Sequence, residues 1–169
     1  MESVPMRAFA TPALAFLCAS CNPQSLQGSL TVLLNLEYQS ADLSIANNQA
    51  ALRFLDPRDI SNAPPDAGAA GQDVVLKVIT NLNGQTVTAN HVFDLSATLP
   101  TGGQVGSLSR NVYNDPVTSF PPIRVGQFVV HQTPTSGSTV GGYFSVTFQD
   151  GIDPACGRTV YADFKAKVL

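Results

Sequence analysis

The chain reads as an all-β protein: an antiparallel β-sandwich of about eight strands, immunoglobulin-like or similar, preceded by a signal peptide. Three observations predict this. Apolar and polar residues alternate with period two in several stretches, most clearly at Phe144, Val146 and Phe148 and at Val160, Ala162, Phe164, Ala166 and Val168, which is the spacing of a half-buried strand. Turn signals recur every ~8–15 residues, with no sustained 3.6-residue apolar period. Charged residues make up only 12% of the chain, about half the usual share, so Ser, Thr, Asn, Gln and Gly do the solvating. A closed barrel is the alternative architecture.

Residues 1 to 20 stand apart from the domain. Arg7 precedes an apolar run from Ala8 to Leu17, inside the ~7–15 residues of a signal-peptide core and short of the ~20 needed to span a bilayer. Pro12 would interrupt a helix interior, which argues against a buried core helix. Glu2 weakens the positive charge ahead of the run, so Met6 is a cleaner start than Met1. Next come Ala19, Ser20 and Cys21, the small-small-cysteine order of a lipobox, with Cys18 where an aliphatic residue is usual and Leu17 one place back. Cys21 is therefore the expected lipidation site, and cleavage near Ser20 by an ordinary signal peptidase is the alternative.

Residues 21 to 28 read as a lipidated polar tether, with Pro23 and Gly28 as breakers. The β-domain is expected over 29–169. Leu30, Val32, Leu34, Leu36 and Tyr38 alternate as a first strand; Ala41 to Ile45 is a short one, and Ala50, Leu52 and Phe54 follow a turn at Asn47-Asn48. The Pro- and Gly-rich stretch 56–72 reads as a long loop. Val74 to Ile79 is a strand, and Asn83-Gly84 suits a type I′ turn into a partner running from Gln85 through Val87, Ala89, His91, Phe93 and Leu95. A weaker strand covers Val105 to Tyr113, a second loop 114–122, and a further strand Arg124 to Gln132. Pro134 to Gly142 reads as a flexible connection before the closing hairpin.

Composition excludes some functions. The net charge is -3 with no basic run, unlike a nucleic-acid binder, whose affinity rests on clustered Lys and Arg. The histidines, His91 and His131, lack metal-ligand spacing with each other or with Asp94 and Cys156. Asp150 and Asp153 flank Gly151 and Pro154 and read as turn formers rather than as a calcium loop. No serine sits in a nucleophile elbow, and no glycine cluster opens a helix. No catalytic residue, metal ligand or cofactor is expected. If Cys21 is acylated, Cys156 is a lone thiol; if it is not, Cys21 and Cys156 could pair in an oxidising compartment.

The closing segment, Gly142-Tyr143-Phe144-Ser145-Val146-Thr147-Phe148 followed by Val160-Tyr161-Ala162-Asp163-Phe164-Lys165-Ala166, resembles a hairpin of uncharacterised β-sandwich lipoproteins of Gram-negative bacteria. Ala162 stands where those have Gly, and their frequent C-terminal cysteine is absent. The resemblance implies a small domain of the cell envelope without known catalytic activity, held by N-terminal lipid on the outer membrane, since Asn22 is not the Asp that marks inner-membrane retention. Its partner would be the membrane and an envelope protein or surface ligand. The alternative is a secreted ligand-binding or adhesion module using loops 56–72 and 114–122, where Tyr113 and Phe120 are the candidate contact aromatics.

Overall fold

The computed structural model of the protein describes residues 24–57 and 71–169. The expected signal peptide, Cys21 and most of the first long loop lie outside the described residues. The rest is all-β: β1 (Gln24–Ser25), β2 (Glu37–Tyr38), β3 (Ser40–Ala46), β4 (Gln49–Pro57), β5 (Gln72–Asn81), β6 (Val92–Asp94), β7 (Gly106–Asn111), β8 (Ile123–Val130), β9 (Thr139–Phe148) and β10 (Thr159–Val168). β1 and β2 form a small sheet, and the other eight form one sheet in the order β6-β8-β9-β10-β3-β4-β5-β7.

That sheet is mixed rather than antiparallel throughout. Six neighbouring pairs run antiparallel, while β10 and β3 run parallel, with Lys167 opposite Asp42 and Val168 opposite Leu43. Pairing the two ends of the domain is the reason: the last strand joins a strand from the start of the domain, which no hairpin connects to it.

The sheet's two ends meet. Leu95, just past β6, donates its N–H to the Gly126 carbonyl on β8 (2.9 Å) and accepts at its carbonyl from Gly106 N–H on β7 (2.9 Å). Val105 N–H reaches the Ala97 carbonyl at 2.8 Å. Glycines are needed on both flanks. A Cβ at Gly106 would lie 2.5 Å from Leu95 Cβ, and one at Gly126 would lie 3.2 Å from the same atom and 2.9 Å from Ile123. The Gln104 carboxamide ties the seam further, donating to the Ile123 carbonyl at 2.6 Å and accepting the Ile123 N–H at 2.7 Å.

Inside lies one apolar core. Phe144, Val146 and Phe148 of β9 and Val160, Phe164, Ala166 and Val168 of β10 are all buried, as their alternation predicts. Phe54 of β4 meets Phe144 with ring centroids 5.5 Å apart, although β10 and β3 separate their strands in the sheet. Neighbouring strands lie only ~4.8 Å apart, so that contact crosses the interior between opposed walls. Gly142 makes room for the Phe164 ring; a Cβ there would sit 2.5 Å from it and 2.2 Å from the Val129 carbonyl oxygen.

Several sequence expectations are met in register. Asn47 (φ 52°) and Asn48 (φ 60°) make the two-residue turn between β3 and β4, with Ala46 opposite Gln49. The closing hairpin pairs Phe144 with Ala162. Other expectations are corrected. The alternation from Leu30 to Tyr38 is not a strand: Ser29–Val32 is a 3₁₀ turn, and the Leu33 and Leu34 N–H groups both return to the Leu30 carbonyl (3.0 and 3.2 Å). Leu30 and Leu36 are buried by looping, while Val32 is 79% exposed.

The Asn83-Gly84 turn forms, with φ 47° and 79°, but joins no hairpin. β5 already holds β4 on one edge and β7 on the other, so the chain crosses to the far edge of β8, where only Val92–Asp94 is strand. His91 is exposed, with its ring against Phe93. The flexible connection is also shorter than expected, because Thr139 to Gly142 belong to β9.

Candidate functional site

The segment read as a tether is, over its described part, stitched into the wall. Gln27 and Tyr161 exchange both backbone hydrogen bonds (2.9 and 3.0 Å), and Leu26 N–H donates to the Leu36 carbonyl at 3.1 Å. Gln24 and Ser25 pair with Tyr38 and Glu37. Residues 24–27 therefore fill the gap between β10 and β2 that opens where β3 leaves β10. Leu26 is driven there by burial, being 1% exposed. Gly28 (φ 113°) allows the approach, since a Cβ would lie 2.4 Å from the Thr159 carbonyl oxygen. Ser29 seals it with a 3.0 Å hydrogen bond from Thr159 N–H to its Oγ.

Gln24 is the first described residue. It lies in a cleft of about 350 Å³ on the outside of the sheet, with Gln39, Ser40, Asp163 and Lys165. Three residue steps separate it from Cys21, a reach of about 10 Å at most.

Beside this cleft, the register lines up a row of charges. Lys167 on β10 faces Asp42 on β3, Asp42 faces Arg53 on β4, and Arg53 faces Lys77 on β5. Arg53 grips Asp42 with both arms, Nε to Oδ1 at 2.7 Å and Nη2 to Oδ2 at 2.6 Å. That hydrogen bond raises the guanidinium's pKa above its ordinary value. Lys165 lies one outward position from Lys167, and both are exposed. The chain's three lysines thus share one face. Its acids are Asp42, neutralised by Arg53, and exposed Asp163. Glu37, Asp56 and Asp73 gather toward the 57–72 end of β4 and β5, where partial burial first, then Asp73 and Glu37, push the Asp56 carboxyl above its usual range.

The residues singled out for chemistry are scattered. The His91 ring nitrogen Nε2 pairs with Gln85 Oε1 at 3.1 Å, its ring lying edge-on to Phe93. His131 lies against Tyr143, ring centroids 6.1 Å apart. Asp94 accepts from Ser96 Oγ (2.6 Å) and N–H (2.9 Å), which hold its carboxyl below the usual range. Asp150 pairs with Arg124 at 3.1 Å, and Asp153 accepts the Ala155 N–H at 2.8 Å. Among the described residues, no three His, Cys, Asp or Glu side chains gather where they could hold a metal ion. Cys156 is a free, half-buried thiol in the β9–β10 loop.

The loop 114–122 is pinned rather than open. Arg110, 6% exposed, reaches the Asn35 and Val75 carbonyls (2.8 and 3.2 Å) and Asp115 Oδ2 (2.9 Å). Phe120 stacks on Phe148, centroids 5.4 Å apart, and Tyr113 is 37% exposed. Between this loop and the 3₁₀ turn lies a cleft of about 420 Å³ lined by Leu30, Leu34, Val117, Phe120 and Pro154. The alternation of Leu108 and Arg110 on β7 was the one available signal that this arginine points inward, and the charge row carried no signal because its members are far apart in sequence.

No family model matches the chain, and no curated protein or solved structure shows significant similarity to it. Among the described residues no helix is long and apolar enough to cross a membrane.

Proposed function

We propose that the chain is an exported bacterial envelope protein, anchored by lipid on Cys21, whose β-domain serves a non-catalytic structural or interaction role. The outer membrane is the proposed site. The observation that carries the reading is the stitching of residues 24–27 between β10 and β2. The described body is engaged at Gln24, three residues after Cys21, close enough for a lipid on that residue to hold it at a membrane.

Two or more acyl chains, at ~0.8 kcal/mol per buried CH₂, hold such a protein durably where one does not.

The test is processing. In a Gram-negative host, globomycin should make the uncleaved precursor accumulate, and the mature amino-terminal peptide should carry diacylglycerol on Cys21. Normal processing under globomycin, or unchanged membrane retention of Cys21→Ser, would refute the anchor. The apolar cleft beside Phe120 supports a second reading, a secreted module that binds an apolar ligand. Mature protein in the medium with unmodified Cys21 would favour it.

A further inference from the structure

We propose that Asn83 is a self-modification site, where the chain's own backbone and water convert the asparagine to an aspartyl or isoaspartyl residue, and that the Asn48 side chain is its brake. Asn83-Gly84 is the sequence's single Asn-Gly pair. Both residues are exposed, at φ 47° and 79°. Nothing lies within 4 Å of where a Gly84 Cβ would stand, so neither a side chain nor a neighbour shields the Gly84 nitrogen on that side. Once that nitrogen loses its proton to base, it attacks Asn83 Cγ. The new C–N bond closes a five-membered succinimide, and the side-chain amide takes up a proton and leaves as ammonia. Water then adds to either ring carbonyl and breaks its bond to the shared nitrogen, which is reprotonated. One opening gives an aspartyl residue, the other an isoaspartyl residue.

The β3–β4 turn clamps this reaction. The Gly84 N–H donates to Asn48 Oδ1 at 2.7 Å, so the nucleophile's proton is held and the plane of its peptide is fixed. Ring closure needs both released. Losing the proton forfeits this hydrogen bond, and swinging the nitrogen toward Cγ breaks it. Asn81 Oδ1 braces the arrangement, accepting the Asn83 N–H at 2.9 Å and the Asn48 Nδ2–H at 3.4 Å. The Leu82 N–H donates to the Asn48 carbonyl at 2.9 Å, and the Gln85 N–H to the Leu82 carbonyl at 2.8 Å, which seats the crossing chain on the β3–β4 turn. An isoaspartyl residue routes the backbone through the former side chain and adds a methylene between these two contacts. That product therefore unseats the crossing where it begins.

The experiment incubates the purified protein at mildly alkaline pH, native or unfolded in guanidinium chloride, and follows position 83 by peptide mass mapping that separates the asparagine, aspartyl and isoaspartyl forms. The native wild-type chain should convert about tenfold more slowly than the unfolded one, the factor that one such hydrogen bond represents. Asn48→Ala should convert several-fold faster than wild type in the native state. Asn48→Gly, free of backbone strain at φ 60°, should do the same, its own Asn47-Gly pair being read as a separate position. Asn48→Asp keeps the acceptor and tolerates that φ, so it should stay slow. In the isoaspartyl fraction, exchange protection of the Leu82 and Gln85 amides should fall. Native wild type converting as fast as the unfolded chain, or alanine and glycine variants as slow as wild type, would overturn the brake. Unchanged protection in the isoaspartyl fraction would refute the unseating.

Discussion

The β9–β10 hairpin and the seam around Leu95 both close the same sheet, and they do so by different physics. In the hairpin, nine residue pairs from Thr159–Thr147 to Lys167–Thr139 sit in unbroken register, and alternate side chains on each strand enter the core. At the seam, the join depends on the Leu95 backbone between two glycines and the Val105–Ala97 bond, with a glutamine side chain as clamp. The hairpin's contacts are many and redundant. The seam's are few. The difference implies unequal local stability, the seam opening at lower free energy than the hairpin.

Four perturbations test that inequality. Phe144→Ala removes a fully buried ring from the hairpin and its contact with Phe54 across the interior. It should cost about 3–5 kcal/mol and lower hairpin and seam protection together, read by denaturant unfolding and amide exchange. Loss confined to the hairpin would mean that the two regions do not share one core.

Arg110→Met should cost roughly 2–3 kcal/mol, because it takes the cation from Asp115 and frees two carbonyls beside the seam strand β7. Near-wild-type unfolding would show that the arginine's desolvation cancels its bonds. Gly106→Ala sets a Cβ against Leu95 and should cost about 1–3 kcal/mol. Its signature is local: amides from 95 to 106 exchange faster while those of β9 and β10 keep their protection. Uniform acceleration would sink the idea of a separately opening seam.

The smallest effect concerns pH. The Asp115 carboxyl is held below its usual range, by the Val117 N–H first and then by Arg110. A carboxylate with a depressed folded pKa stabilises the fold above its unfolded pKa of about 4 and loses that contribution as pH falls through the folded value. Protection of the amides in residues 112–118, relative to their intrinsic exchange, should therefore fall below about pH 4, before that of β9 and β10. An acid response absent from wild-type loop amides, or retained in Asp115→Asn, would disconnect the loop from this carboxylate.

The same contrast explains what could be read in advance. Strands β3, β4, β9 and β10, with the turn at Asn47-Asn48, follow from period-two alternation and from residues that accept positive φ, both properties of neighbouring positions. The 30–38 stretch has the same alternation yet forms a 3₁₀ turn, because Leu30 and Leu36 reach the core by looping around a Gly28 that is pressed on Thr159. Asn83-Gly84 turned as its residues dictate, but its hairpin did not follow, since β7 had taken the edge of β5. Arg53, Lys77, Lys165 and Lys167 could not be seen as one face, nor Arg110 as a brace, because no local period links them.

Sequence alone therefore determined the all-β class, most strand positions and the apolar segment that ends at Cys21, since each is written in side-chain period, turn chemistry and composition over a short window. Only the tertiary structure decided the parallel β10–β3 pairing, the Leu95 seam, the wedging of residues 24–27 and the gathering of the lysines. These rest on contacts between residues far apart in sequence, 130 positions in the case of Ser29 and Thr159, and on which strand edge remained free.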